Sequence, residues 1–366
     1  MNINAHLLQT LNHGPLKASI GDDGKVVVTV EFPTDDQGYT ERACGAVDCE
    51  PKLFKIRGDI PKTEGRRCPY CGQQGDSSSF ATVDQVRYAR EKVEREAYAA
   101  LGDVFHRTLV DGLRLDSHGR RRIGSGMFSM GLSVTRQRQV QPEVQLPKSE
   151  RPRRDVKCGK CGIDHIVFGL ATWCHSCGAD IFDDHVRAEL CDIRKLLQDC
   201  VARRQENGER LYARQAGNVL EDLVSAWEAG FRYLLQRHFL AKSKTRAETN
   251  AFIQKTIRNQ LQGIERSAEV VREHLGIEVF ANVDPVDVAR AGKMFAARHT
   301  VTHCLGVTDE KFVTSSGSGH VGRELELDPE DLRWLAESVQ GWLLGAWSGA
   351  FPKPEVGQET CGEKQP

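Results

Sequence analysis

Cys158-Gly159-Lys160-Cys161-Gly162 and Cys174-His175-Ser176-Cys177-Gly178 decide how the middle of this chain folds. Twelve residues separate Cys161 from Cys174. Working outward, the same arrangement occurs upstream: Cys44 and Cys49 precede Cys68-Pro69-Tyr70-Cys71-Gly72, with eighteen residues between Cys49 and Cys68. Eight of the twelve cysteines thus fall into two groups of four. Four thiolates at such spacings suit a tetrahedral structural zinc, with Zn–S bonds near ~2.3 Å. Three of the four pairs are Cys-x-x-Cys followed by Gly, and that Gly allows the tight turn that points backbone N–H groups at sulfur. Cys44 and Cys49 depart from this, with four residues inside their loop. Cysteine-only ligands close the coordination shell, so both ions are expected to be structural and neither catalytic. Metal-free chain is expected to lose the local fold, because binding and folding are linked.

His175 lies between two ligands and reads as a solvent-facing knuckle residue; His165 is ambiguous in the same way. Cys191, Cys200 and Cys304 fall in expected helices and read as ordinary core thiols; Cys361 sits in the tail. The chain has 366 residues, 39% hydrophobic and 28% charged, with a formal net charge of -1, so global charge selects no partner. Its distribution is more informative: from 119 to 157 there are ten Lys/Arg against three Asp/Glu. Arg120-Arg121-Arg122 and the group Arg151, Arg153 and Arg154 could meet phosphates, each contact adding salt-dependent affinity. Gly124-Ser125-Gly126 lacks the strand, helix and Gly-Lys-Ser/Thr that a phosphate loop requires. Met1 to His13 shows no basic patch before an apolar run, so no export signal is expected. No run of ~20 apolar residues appears, so no membrane partner is expected. The expected location is cytoplasmic, where paired cysteines bind metal rather than form disulfides.

The fold class read from the sequence is multidomain: two small β-rich zinc ribbons with attached helices, then an all-α helical bundle. The expected divisions are 1–112 (first ribbon with helix), 113–152 (basic linker), 153–207 (second ribbon with helix), 208–351 (helical domain) and 352–366 (disordered tail). Val26-Val27-Val28-Thr29-Val30 reads as a strand. Residues 82–109 read as a helix capped by Thr82, with Val83, Val86, Val93, Ala97, Leu101 and Phe105 in a stripe. Residues 166–173 read as β-hairpin, 184–204 as helix, and 127–134 as a short strand. Beyond Gly208 the apolar residues Leu220, Leu223, Val224, Trp227, Phe231, Leu234 and Leu235 recur at helical spacing over 211–239. A second helical stretch is expected over 249–275. Asp284-Pro285 and Asp328-Pro329 are helix starts, Asp at the N-cap and Pro at the first helical position. Gly306 is a stop, and 321–327 reads as a short extended segment. The last helix carries Leu332, Leu335, Val339, Trp342, Leu343, Ala346 and Trp347 on one face.

Arg298-His299-Thr300-Val301-Thr302-His303 closes the helix that opens at Pro285. His299 and His303 are four apart and share a face. A histidine with a reference pKa near ~6.5 can take the proton from a ribose 2′-OH or give one to a leaving oxygen. A permanently charged Arg can hold the phosphate and offset the charge that builds on it. The plain alternative is a surface Arg and a His favoured by the helix dipole.

An Arg, a polar residue and a His after a short gap, late in a small all-α domain, resemble the motif of the HEPN-domain family. Arg298, His299 and His303 match it with four residues between Arg and His, and Gly306-Val307-Thr308-Asp309 resembles the loop of many bacterial members. The resemblance covers roughly 208–351. It implies a homodimer formed through the C-terminal helical domain and a metal-independent endoribonuclease of the bacterial defence or toxin–antitoxin type. It assigns Arg298 to the scissile phosphate, His303 to proton transfer and His299 to supporting one of them. It also implies an acidic helper, for which Glu221 and Glu228 stand equal. Two readings follow. In one, the zinc ribbons recognise nucleic acid or a regulatory protein partner and the helical domain cleaves RNA. In the other, the chain is a non-catalytic zinc-ribbon nucleic-acid-binding or adaptor protein whose helical domain only dimerises.

Overall fold

The computed structural model describes residues 16–352 except 22–24, 33, 50–51, 58–65, 77, 117, 119, 124–129, 134–153 and 318. The readings made on 1–13, 124–126, Arg151, Arg153, most of the linker and the tail with Cys361 lie outside these residues. Along the chain run β1 (Lys17–Ile20), β2 (Val26–Thr29), β3 (Tyr39–Ala43), β4 (Leu53–Arg57), β5 (Arg66–Arg67), β6 (Gln74–Gly75), α1 (Val83–Gly112), β7 (Arg120–Ile123), β8 (Met130–Ser133), β9 (Arg154–Lys157) and β10 (Asp164–Val167). The helices α2 (Phe182–Ala202), α3 (Arg204–Asn207), α4 (Glu209–Ala241), α5 (Arg246–Phe252), α6 (Ile264–Leu275), α7 (Pro285–His303), α8 (Glu310–Ser316) and α9 (Pro329–Ala350) follow. A small β region with the cysteine groups therefore precedes a mostly helical region. No helix among the described residues is long and apolar enough to cross a membrane.

The chain forms two compact units. The first contains β1–β3, α1, β7 and β8. Its α1 starts as the sequence predicts, with Thr82 accepting from Gln85 N–H and Gln85 reaching back to the Thr82 N–H in a capping box. The β1–β2 hairpin pairs Lys17 with Thr29, and Leu16 and Ala18 pack with Ala100 of α1. The buried side of α1 is thus small. Most of the apolar stripe read along this helix is exposed, Val83 at 85% and Phe105 at 65%.

The second unit contains both cysteine groups and all the later helices. Strand β10 pairs antiparallel with β4 on one side and β9 on the other, His165 lying opposite Ile56 and Val156. The two ribbons read as separate modules are therefore joined in one sheet. The division read at 207/208 also falls inside this unit: Phe182, Leu190 and Leu197 of α2 share a core with Leu220 and Trp227 of α4 and Leu335 and Trp347 of α9. Helices α2, α4 and α9 pack against one another, and α6 and α7 pack on α4. The apolar face predicted for α4 is buried throughout, with Trp227 and Phe231 at 0% exposure. Trp227 Nε1 donates to Ser267 Oγ at 2.9 Å, so the largest core side chain leaves no unmet donor.

Two local expectations are corrected. Residues 166–173 do not form a hairpin: β10 ends at Val167, and beyond it only Trp173 bridges to Asp180. The backbone donors are used elsewhere. Phe168 N–H goes to Tyr70 Oη (3.0 Å), Ala171 N–H to His185 Nδ1 (2.7 Å), and Thr172 and Trp173 N–H to the Pro69 carbonyl (2.9 and 3.0 Å). The stretch 249–275 is not one helix. After α5 come a π-helical turn, Ile253–Ile257, Arg258 at φ 50°, and a short 3₁₀ turn, Gln260–Gln262, before α6. Gly263 restarts the helix from extended backbone, and the Ser267 hydroxyl donates to its carbonyl at 2.6 Å. The segment 321–327 is extended only in part, with Glu324 bridging Val307.

Candidate functional site

The three Cys-x-x-Cys-Gly turns fold alike. In each, the first Cys N–H bonds the carbonyl five residues on, as Cys68 does to Gln73 (2.9 Å), Cys158 to Ile163 (3.0 Å) and Cys174 to Ala179 (2.8 Å). The Gly N–H returns to the first Cys carbonyl, and Gly72, Gly162 and Gly178 sit at φ 72°, 73° and 67°. A side chain would be strained there, which is why the motif needs Gly. The Cys44–Cys49 loop is built differently: Cys44 N–H bonds Lys52 O (2.9 Å) and Cys49 N–H bonds Ala46 O (3.3 Å).

These turns converge four sulfurs twice. Cys44, Cys49, Cys68 and Cys71 form one group, and Cys158, Cys161, Cys174 and Cys177 the other, each with all ligand atoms within 4.8 Å. Cys44–Cys71 and Cys49–Cys68 lie 3.6 and 3.7 Å apart, and Cys158–Cys177 and Cys161–Cys174 3.8 and 3.6 Å. A tetrahedron with ~2.3 Å metal–sulfur bonds has edges of ~3.8 Å, whereas a disulfide would need ~2.05 Å. The sulfurs therefore fit an ion, and all eight are free thiols. Cys161 and Cys177 are exposed, while Cys44, Cys49 and Cys68 are buried. Thiol–thiol hydrogen bonding, Cys44 foremost, holds Cys49 and Cys68 above the ordinary thiol range and Cys71 below it. Burial pushes Cys174 up. A bound cation would displace these shared protons, so affinity would fall as pH falls.

The two groups are tied to each other. Arg67 N–H donates to His175 O (3.0 Å), and His175 Nδ1–H returns a bond to Arg67 O (2.6 Å). Arg67 directly precedes Cys68, and His175 directly follows Cys174. His175 is therefore not the solvent-facing knuckle residue read from sequence: it is fully buried, 4.9 Å from the Phe54 ring. His165 is also buried. Its Nε2 accepts from His175 N–H at 3.2 Å and lies 3.5 Å from Cys174 Sγ. Tyr70 Oη donates to Leu53 O at 2.6 Å while accepting from Phe168 N–H. Nothing in the spacing of the cysteines foretold these bonds.

The basic segment behaves unevenly. Arg120, Arg121 and Arg122 are exposed on β7. Arg154, expected beside them as a phosphate-facing cation, pairs with Glu189 at 2.9 Å.

The Arg–His element lies in the last turns of α7. Asp284 caps the start of this helix, its side chain accepting from Val286 N–H at 2.8 Å. His299 and His303 are exposed, with ring centroids 4.8 Å apart. Arg298 is half-buried, its Nη1 3.5 Å from Gln262 Oε1 in the break before α6. Thr302 Oγ1 donates to Glu221 Oε1 on α4. Glu228, the other acidic candidate, pairs with Arg232 at 2.8 Å on its own helix. The two are thereby distinguished: Glu221 reaches α7 beside His303, and Glu228 does not. Helix α7 ends at His303 with Cys304 as its C-cap, Leu305 is left-handed at φ 54°, and Gly306 N–H returns to Thr300 O at 3.1 Å.

No family model, curated protein or solved structure matches this chain.

Proposed function

We propose that this chain is a dimeric, metal-independent endoribonuclease of the HEPN kind, whose two four-cysteine centres each hold a structural zinc. The observation that carries the catalytic reading is the exposed His299–His303 pair beside Arg298, with Glu221 reaching the same turn through Thr302. The zinc reading rests on eight thiols at tetrahedral spacing, a donor set that favours zinc among common ions. Homodimerisation, RNA as substrate and a defence or toxin setting rest on the resemblance of Arg298, His299 and His303 to the family motif.

In the mechanism this implies, a ribose 2′-OH attacks the neighbouring phosphorus. His303 takes the hydroxyl proton or supplies one to the departing 5′-oxygen, and its symmetry mate performs the other transfer. The P–O5′ bond breaks, leaving a 2′,3′-cyclic phosphate and a 5′-hydroxyl. Arg298 stabilises charge on the non-bridging oxygens. His299 and Glu221 orient this pair. Exposed imidazoles suit a substrate that arrives from solvent.

The test is cleavage of single-stranded RNA during brief exposure to EDTA. His303→Ala and Arg298→Ala are expected to lower the rate by about 10²–10⁴, with helicity and oligomeric state unchanged. Full activity in either variant contradicts the assignment. RNA binding without cleavage by the wild-type chain supports the adaptor reading instead.

A further inference from the structure

His299 and His303 stand four residues apart on α7, and both rings are exposed. A helical spacing of four places two side chains on one face, one above the other. Their ring centroids lie 4.8 Å apart, with the planes tilted by 50°. Two imidazoles that hold one ion by ~2.1 Å metal–nitrogen bonds, at an angle between square and tetrahedral, have centroids about 4.5–5.2 Å apart. The observed spacing falls inside that window. Ring rotation at these exposed positions therefore suffices to bring one nitrogen of each to a shared ion, with the backbone unchanged.

The chemistry of the pair selects the ion. Neutral imidazole suits Zn²⁺, Cu²⁺ and Ni²⁺, whereas Mg²⁺ and Ca²⁺ take oxygen donors. The Thr302 hydroxyl, between the two histidines in sequence, donates to the Glu221 carboxylate, which brings a negative charge to the same turn. The C-terminal end of α7 lies here as well and adds negative potential. Arg298, the cation that precedes His299, is engaged with Gln262 Oε1 at 3.5 Å. Among the described residues no third Cys, His or carboxylate completes a cage around the two rings. Water would fill the remaining coordination positions, so such a site is open, unlike the closed four-sulfur centres.

We infer that His299 and His303 form a two-nitrogen site for a divalent transition-metal ion, taken reversibly from solvent. The binding itself needs neither RNA cleavage nor a homodimer. Its consequence rests on the nuclease reading. A neutral ring has one lone pair with which to accept a proton, and a bound ion occupies it. The metal would therefore inhibit proton transfer by His303.

The experiment is calorimetric titration of Ni²⁺ into the full-length chain, loaded with Zn²⁺ and desalted so that the cysteine centres are filled beforehand. A saturable site is expected. His299→Ala and His303→Ala are each expected to weaken it by about 10²-fold, because the second donor of a chelate acts through effective concentration. The double variant is expected to bind no more weakly than either single one, since the loss of one histidine already breaks the chelate. Helicity is expected to persist in all three variants, both positions being exposed. Absence of a saturable site overturns the inference. So does a site that only one substitution weakens, one that neither alters, or losses that simply add. RNA cleavage is expected to fall in step with Ni²⁺ occupancy, and cleavage undiminished at saturation overturns the inhibitory role.

Discussion

Gly217 on α4 shows how closely the Arg–His helix is held. A Cβ there would lie 2.6 Å from Val301 Cγ1, in the turn that carries His299 and His303. Valine is stiff in a helix and cannot swing aside. Gly217→Ala is therefore expected to destabilise the chain by about 1–3 kcal/mol, and Val301→Ala in the same chain to restore most of it, read by urea denaturation. The His185 ring supplies a pH dependence. Its pKa is about 3 when folded and ~6.5 when unfolded, so the unfolded chain takes up the proton first. Stability is full above pH ~6.5 and is lost as pH falls toward ~3, by up to ~1.4 kcal/mol per unit. A His185→Gln chain, compared across that window by denaturation, is expected to lack this component. At this scale the sequence was partly legible. Arg298, His299 and His303 stood out because a four-residue gap is a geometric statement within one helix. Glu221 did not, because only the packing of α4 on α7 separates it from Glu228. His185 carried no signal at all, since its character comes from Ala171 and its burial rather than from its neighbours in sequence.

Asp180 joins the cysteine-bearing loop to the helices. Its Oδ2 accepts from Arg237 Nη1 at 2.7 Å and from Trp347 Nε1 at 3.1 Å, and its Oδ1 accepts from Phe182 N–H at 2.9 Å. The Arg237 guanidinium lies 4.1 Å from the Trp173 ring and 4.8 Å from the Trp347 ring. Burial lowers the Arg237 pKa, and Asp180 opposes that effect. Asp180→Ala would leave this cation enclosed without its partner, at an expected loss of about 2–4 kcal/mol in thermal or urea unfolding. A loss under 1 kcal/mol would show that the loop and the helices are held by other contacts. Helices α4, α7 and α9 were readable because periodic apolar faces and Asp-Pro starts are local signals. The false hairpin at 166–173 and the broken helix at 249–275 were not. In both, the backbone conformation answers to partners distant in sequence, Pro69 and Tyr70 for one and the Trp227–Ser267 bond for the other.

Across the whole second unit, the two four-cysteine groups are tied into one assembly. The sheet joins β4 to β10, and the Arg67–His175 bonds place a residue next to a ligand of each group in mutual contact. The cysteine pairs were legible from spacing alone; their fusion was not, because no repeat in the sequence encodes which strand pairs with which. Two zinc ions per chain are expected by elemental analysis. Cys68→Ser is expected to lose one ion and also to speed chelator extraction of the other, since Arg67 loses its anchor; unchanged extraction from the Cys158 group would show that the centres are independent. The nuclease reading is tested most directly by replacing the 2′-hydroxyl at the scissile nucleotide of a cleaved RNA with hydrogen. The account predicts a 2′,3′-cyclic phosphate end from the all-ribose strand and no cleavage at the deoxy position. Equal cleavage of both strands would contradict it.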